Sequence, residues 1–244
     1  MLTLIATLFP LFCWLAYNYG VPHIERRTPS LSVIMSMQRR RWVANATRRE
    51  SPLDAILSGN LMGSVSFLAS TSVLLVLAIF AAFGQVPAVM ETLATVGWGT
   101  SYATSDLQLH LLVMLAIFVL SFFSFTLSLR QFNHFCIMLG AIDRNGRITS
   151  DEIDAIAQLN TMAAKNFNNG IRGYYFAVPT VAWFVADWLA IAVSLVTVGF
   201  IVHREFFSSA HRLAASATVI ASRRDKAMKE DDKPEDTNRR VSGL

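Results

Sequence analysis

Positive charge is missing from most of this chain. No Lys or Arg occurs before Arg26, between Arg49 and Arg130, or between Arg172 and Arg204. A soluble domain of 244 residues spreads its charge along its length, so this distribution excludes one. Cysteine is nearly absent too. Cys13 and Cys136 stand alone, without Cys-x-x-Cys spacing, which removes a disulfide framework and a zinc site and leaves two small apolar core residues. Neither a nucleophile–base–acid constellation, nor a glycine-rich phosphate loop, nor a metal-ligand quartet is legible. The chain is therefore not expected to be an enzyme, nor to carry a metal or a cofactor. The net charge of +4 is modest, and the arginines flank apolar segments. That pattern concerns membrane orientation rather than nucleic acid.

What the chain does have is hydrophobic residues, 53% of the total, arranged in blocks. Four blocks reach or approach the ~20 residues that a bilayer core of ~30 Å requires. They are Leu2 to Tyr19, Ile56 to Phe83, Leu107 to Leu129 and Tyr174 to Val202. The first lacks a basic leading region and a small-residue cleavage site, so it reads as a retained helix rather than a signal peptide. The pattern predicts an all-α, multi-pass transmembrane helical bundle in the cell inner (plasma) membrane. Residues 1–207 form that domain, and 208–244 an interfacial helix followed by a disordered charged tail from Lys226.

The basic intervals place loops 20–55 and 130–173 in the cytoplasm, with 84–105, free of Lys and Arg, on the other side. Ser36 to Thr47 and Ile153 to Ala164 read as cytoplasmic amphipathic helices against the bilayer, whose anionic headgroups are the expected partner. The second of these helices is expected to end in the turn-forming run Asn166 to Gly170. The tail is the difficulty. Four crossings that begin outside also end outside, which exports Arg204, Arg212, Arg223 and Arg224 against the positive-inside rule. One solution keeps Tyr174 to Val202 as a single long, tilted helix and accepts the conflict. The other breaks it at the intramembrane acid Asp187 into a re-entrant pair of ~20 Å arms, too short to cross.

Several side-chain groups are candidates for function. Gly59 and Gly63 form a small-x-x-x-small pattern suited to close helix packing. Ser66 and Ser70 on the second block, with Ser121 and Ser124 on the third, are candidates to line a path. Arg130, Asn133, Asn168, Asn169 and Arg172 are expected to meet as a polar cluster at the cytoplasmic face, neutralised by an anion or by the Asp151-Glu152-Asp154 helix. Asp106 and His110, one turn apart, read as an exposed helix-start pair. Asp143, Asn145, Gly146, Ile148 and Glu152 fall at positions 3, 5, 6, 8 and 12 of a calcium loop, but position 1 is Ala141. A turn followed by a helix capped at Thr149 or Ser150 with Glu152 is the better reading.

Four stretches carry a family resemblance: Arg39-Arg40-Arg41-Trp42, Ser66 through Ser72, Phe122 through Asn133, and Asn168 through Phe176. Together they resemble the bacterial and plant integral membrane family catalogued as domain of unknown function 599. The resemblance covers the chain up to about Phe207 and implies a multi-pass membrane domain, with no activity, substrate or cofactor. Members show a Gly-Pro-like break near Ala186-Asp187, where this chain carries a carboxylate, so Asp187 is not shared machinery. Two functions follow as expectations. One is an oligomeric anion channel or small-solute transporter with an arginine filter. The other is a non-conducting, lipid-interacting scaffold or stress protein.

Overall fold

The computed structural model describes residues 1–26, 28–46, 52–97, 102–143 and 148–231, and every regular element among them is an α-helix. In order they are α1 (Leu2–Glu25), α2 (Leu31–Ala46), α3 (Leu53–Phe83), α4 (Val86–Val96), α5 (Thr104–Gly140), α6 (Ser150–Trp183), α7 (Asp187–Phe206) and α8 (Ser209–Asp231). Four helical stretches are long and apolar enough to cross a membrane: Leu2–Glu25, Leu53–Phe83, Thr104–Gly140 and Asp187–Arg224. Their outward faces are strongly apolar, as at Phe12, Phe67, Leu74, Phe123 and Val196, which suits a lipid surround rather than water.

The segment Tyr174 to Val202 is not one helix. It divides after Trp183, three residues connect the two parts, and α7 returns antiparallel to α6. The pairing is seen in Tyr175 stacked edge-on against Phe200 and hydrogen-bonded by Arg204. Two side chains hold the end of α6. The Thr180 carbonyl loses its usual partner because the Phe184 N–H turns back to Val181, and the Trp183 carbonyl lies at the very end of the helix. His110 Nε2 takes the Thr180 carbonyl at 2.9 Å, and the Tyr102 hydroxyl donates to the Trp183 carbonyl at 3.1 Å. Ala186 is extended, and Asp187 starts α7, where its carboxylate accepts from Thr3 at 2.9 Å and sits at the favourable end of the helix dipole. No glycine or proline is used in the connection Phe184–Ala186.

The other arm of this hairpin is longer than the sequence suggests. The Asn166–Gly170 run does not stop a helix, and α6 continues through it for 34 residues. Tertiary contacts outweigh the local preference. Asn166 donates to Gln131 at 2.8 Å, Asn169 accepts from Arg172, and Gly170 lies flat against the Phe125 ring. Ser128 of α5 donates to the Ala163 carbonyl, and Gly173 faces Ser121, so α6 runs antiparallel beside α5 from there to Trp183 beside His110.

These pairings give the bundle two distinct ends. One gathers Met1, the α3–α4 connection, the start of α5 and the α6–α7 turn. The other gathers the ends of α1, α5 and α7 and the start of α3, covered by α2 and α8, which are tied by Gln38 to Thr218 at 2.8 Å. All described Lys and Arg side chains belong to this second, basic end. The helix of the tail reaches Asp231, past the Lys226 where disorder is expected, and 232–244 lie outside the described residues. The calcium pattern yields to the cap. Thr149 and Glu152 form a capping box with Thr149 Oγ1 accepting from the Glu152 N–H at 3.2 Å, while Asn145 and Gly146 lie outside the described residues. His110 is fully buried rather than exposed, sandwiched 4.0 Å from Trp183. Its companion Asp106 caps α5 by accepting from the Ala103 N–H at 3.1 Å.

Candidate functional site

Arg172 is the most constrained charge in the bundle. It lies inside α6, one turn past the Asn168–Asn169 pair, and its side chain runs to the basic end with its aliphatic stem covered, leaving the residue 8% exposed. The guanidinium forms an ion pair with Glu205 of α7, donates to Asn18 of α1 at 3.0 Å and to Asn169 at 3.4 Å, and lies 5.0 Å from the Tyr17 ring centre. Tyr17 completes the circuit by donating to the second oxygen of Glu205 at 2.7 Å. Three helices are thus tied at one point by an ion pair and the hydrogen bonds around it.

Beside this network lie two adjoining cavities of about 200 and 170 Å³. Both are lined by Ser32, Asn168 and Arg172. The larger adds Arg39 of α2 and Tyr175, Arg204 and Glu205 from the hairpin. The smaller adds Asn18, Glu25, Lys165 and Asn169. Its carboxylate Glu25 already accepts from Ser30. Arg39 is held differently from Arg172. Burial disfavours its charged form and pushes its pKa down, and its Nη1 has neither solvent nor a hydrogen-bond partner. Arg172 Nε is a second buried donor without a partner. Neighbouring Arg40 is the ordinary case, an exposed residue whose hydrogen bond to Asp154 raises its pKa.

The expected cluster is therefore half present. Asn168, Asn169 and Arg172 come together, and their neutralising carboxylate is Glu205, not the Asp151-Glu152-Asp154 group, whose Asp154 serves Arg40. Arg130 and Asn133 are exposed on α5 and line neither cavity. Arg130 is nine residues beyond Ser121, the residue facing Gly173, or roughly 14 Å along the helix. Placing them at one level required a helix starting at Tyr174, whereas α6 begins at Ser150. Glu205, Tyr17 and Asn18 were missed as members of the site. The only signal for Glu205 was an acid at the end of an apolar block, opposite an arginine at the start of one.

The path-lining candidates do not converge. Ser121 is buried beneath Gly173 and donates to its own helix at the Ile117 carbonyl, 2.8 Å, and Ser124 likewise to Leu120 at 2.9 Å. Ser66 and Ser70 are exposed on the outer face of α3. Gly59 and Gly63 share that face, and a Cβ on either would meet nothing within 4 Å among the described residues.

A family model matches residues 5–210, most of the chain and nearly all of α1 to α7. The chain belongs to the family described as Protein of unknown function, DUF599. The match ends just past α7, so α8 lies almost wholly outside the family domain. Neither a curated protein nor a solved structure matches the chain. In this family member the quoted stretches fall on the interfaces just described: Phe125 under Gly170, Ser72 with Tyr174 at 2.9 Å, and Asn168 to Gly173 around Arg172.

Proposed function

We propose that this protein is a non-conducting membrane scaffold of the cell inner membrane, with its basic end in the cytoplasm against anionic headgroups. The carrying observation is the fate of the hydroxyls. Ser121 and Ser124, with Ser64, Thr71, Ser72 and Ser194, all donate to carbonyls of their own helices, so they offer a solute no unspent donors. Of the buried ones, Ser121 is covered by Gly173 and Ser72 by the Tyr174 hydroxyl at 2.9 Å.

The same reading resolves the tail. With α6 and α7 as separate crossings, α1, α3, α5, α6 and α7 give five, and an outside amino terminus leads to a cytoplasmic carboxyl terminus. All three basic intervals then obey the positive-inside rule. The polar character of α6, with Asn160, Asn166, Asn168 and Arg172, is tolerable because its neighbours α1, α5 and α7 cover it.

Proteoliposome flux tests the reading. Ion and small-solute flux indistinguishable from protein-free vesicles is expected. Selective flux that falls when Ser121 and Ser124 are replaced by alanine overturns it. Transport keeps one supporting observation: Ser66 and Ser70 face outward beside Gly59 and Gly63, where a second copy could complete a path. Homo-oligomerisation through that face belongs to the same proposal.

A further inference from the structure

Arg39 presents a problem of charge. A guanidinium stays protonated in proteins, so burying one of its nitrogens without a counter-charge is costly unless an anion arrives. Among the described residues no carboxylate lies within ion-pair distance of Arg39, and its Nη1 is buried without a partner. The one carboxylate on the same cavity wall, Glu205, already serves Arg172 and Tyr17. Arg172, itself 8% exposed, lines the cavity too, with its Nε unpartnered. Arg204, on the same wall, donates to the neutral Tyr175 hydroxyl and has no ion pair among the described residues. Three arginines, two of them with an unpartnered buried nitrogen, therefore line one cavity beside a single carboxylate, an excess of positive charge. The other buried donors lacking partners, such as Trp14 Nε1 and Trp183 Nε1, line neither cavity of this site.

We propose that the cavity between α2, α6 and α7 binds a phosphate-type oxyanion, held by the guanidinium groups of Arg39, Arg204 and Arg172. Its size, about 200 Å³, falls below the range of drug-sized ligand sites and suits a compact anionic group. The lining also includes the apolar side chains of Met35, Ile171 and Ile201. Guanidinium forks match oxyanions of this geometry. The anion has two sources, the phosphate of an acidic lipid or free phosphate from the cytoplasm. The inference rests on the scaffold reading only for the side of the membrane that the cavity faces.

The test uses the full chain purified in detergent. Native mass spectrometry compares retention of phosphatidylglycerol with phosphatidylcholine, and thermal unfolding compares inorganic phosphate with chloride at matched ionic strength. The expected result is preferential retention of phosphatidylglycerol, weakened about tenfold by Arg39→Gln as for loss of one charge-assisted hydrogen bond. Arg212→Gln, an exposed arginine at the same end, leaves retention unchanged. Arg204→Gln serves as the second variant should Arg39→Gln misfold. Stabilisation by phosphate with the same Arg39 dependence, and no lipid preference, supports the site with a soluble anion as its source. Absence of preference in both arms, or equal loss in Arg39→Gln and Arg212→Gln, overturns the proposal. Either result is independent of flux, so it stands apart from the fate of the scaffold reading.

Discussion

Gly173 of α6 sits so close to Ser121 of α5 that a Cβ on the glycine would lie 2.0 Å from the serine oxygen. One turn away the same holds for Gly170, whose added Cβ would lie 2.5 Å from the Phe125 ring. Close approach, rather than backbone freedom, is the use of both glycines, since each lies within a regular helix.

Gly173→Ala is expected to cost roughly 1–3 kcal/mol as an overpacked core does. Ser121→Ala removes the nearest atom and leaves the serine Cβ position at 3.3 Å, so the double variant recovers part of the loss. Gly59→Ala and Gly63→Ala, with open space around them, instead stabilise the monomer by up to about 1 kcal/mol through helix propensity. Thermal unfolding of these five variants in detergent checks this. Equal losses at Gly173 and Gly59 contradict the packing account.

The Arg172–Glu205 pair tests the three-helix knot. Glu205→Ala leaves a nearly buried guanidinium uncompensated, and breaking such a pair costs about 3–5 kcal/mol. Tyr17→Phe removes one hydrogen bond to the same carboxylate and is expected to cost about 1 kcal/mol. Because all three groups form one network, the double variant loses less than the sum. Additive losses would mean that the tyrosine acts independently.

The cap of α6 should respond to pH. The Thr149 backbone N–H, then its side chain, hold the Glu152 carboxyl below the ordinary carboxylate range. A lowered folded pKa contributes stability that is present above the unfolded value and lost as pH falls through the folded one. Amide exchange in the first turn, Ser150 to Asp154, corrected for intrinsic rates, should therefore accelerate on acidification in the wild type and not in Glu152→Gln. Unchanged protection of the wild type in acid would refute the cap as an electrostatic one.

A reporter fused after Ser208 is expected to register the cytoplasmic side, and one at the amino terminus the other side. Both on one side would return the chain to an even number of crossings.

How much of this was legible depended on the kind of signal. The apolar blocks and the gaps in positive charge announce an all-α membrane bundle, because the bilayer imposes length and charge rules on any sequence that enters it. The Thr149–Glu152 cap was legible for the same reason, being a local pattern. The extent of α6 was not. Asn166 to Gly170 has the composition of a turn, and only Gln131, Phe125 and Arg172, distant in the chain or beyond the run, make it a helix. His110 was hidden likewise, because its burial depends on Trp183 lying flat over it. Glu205 could not be assigned to Arg172 until the hairpin brought residues 33 positions apart together.

The connection Phe184–Ala186 has a further consequence. It contains no glycine or proline, and it joins two helices whose far contacts are both specific: Thr3 to Asp187 beside the turn, and Arg172 to Glu205 at the distant end. One inserted residue would turn α7 by about 100° about its axis and carry Glu205 to another face. The three residues thus act as a phase setting between two gears, in which spacing is constrained far more tightly than chemistry. Substitutions there should be absorbed, while a single insertion or deletion should undo the anchorage of the whole returning arm.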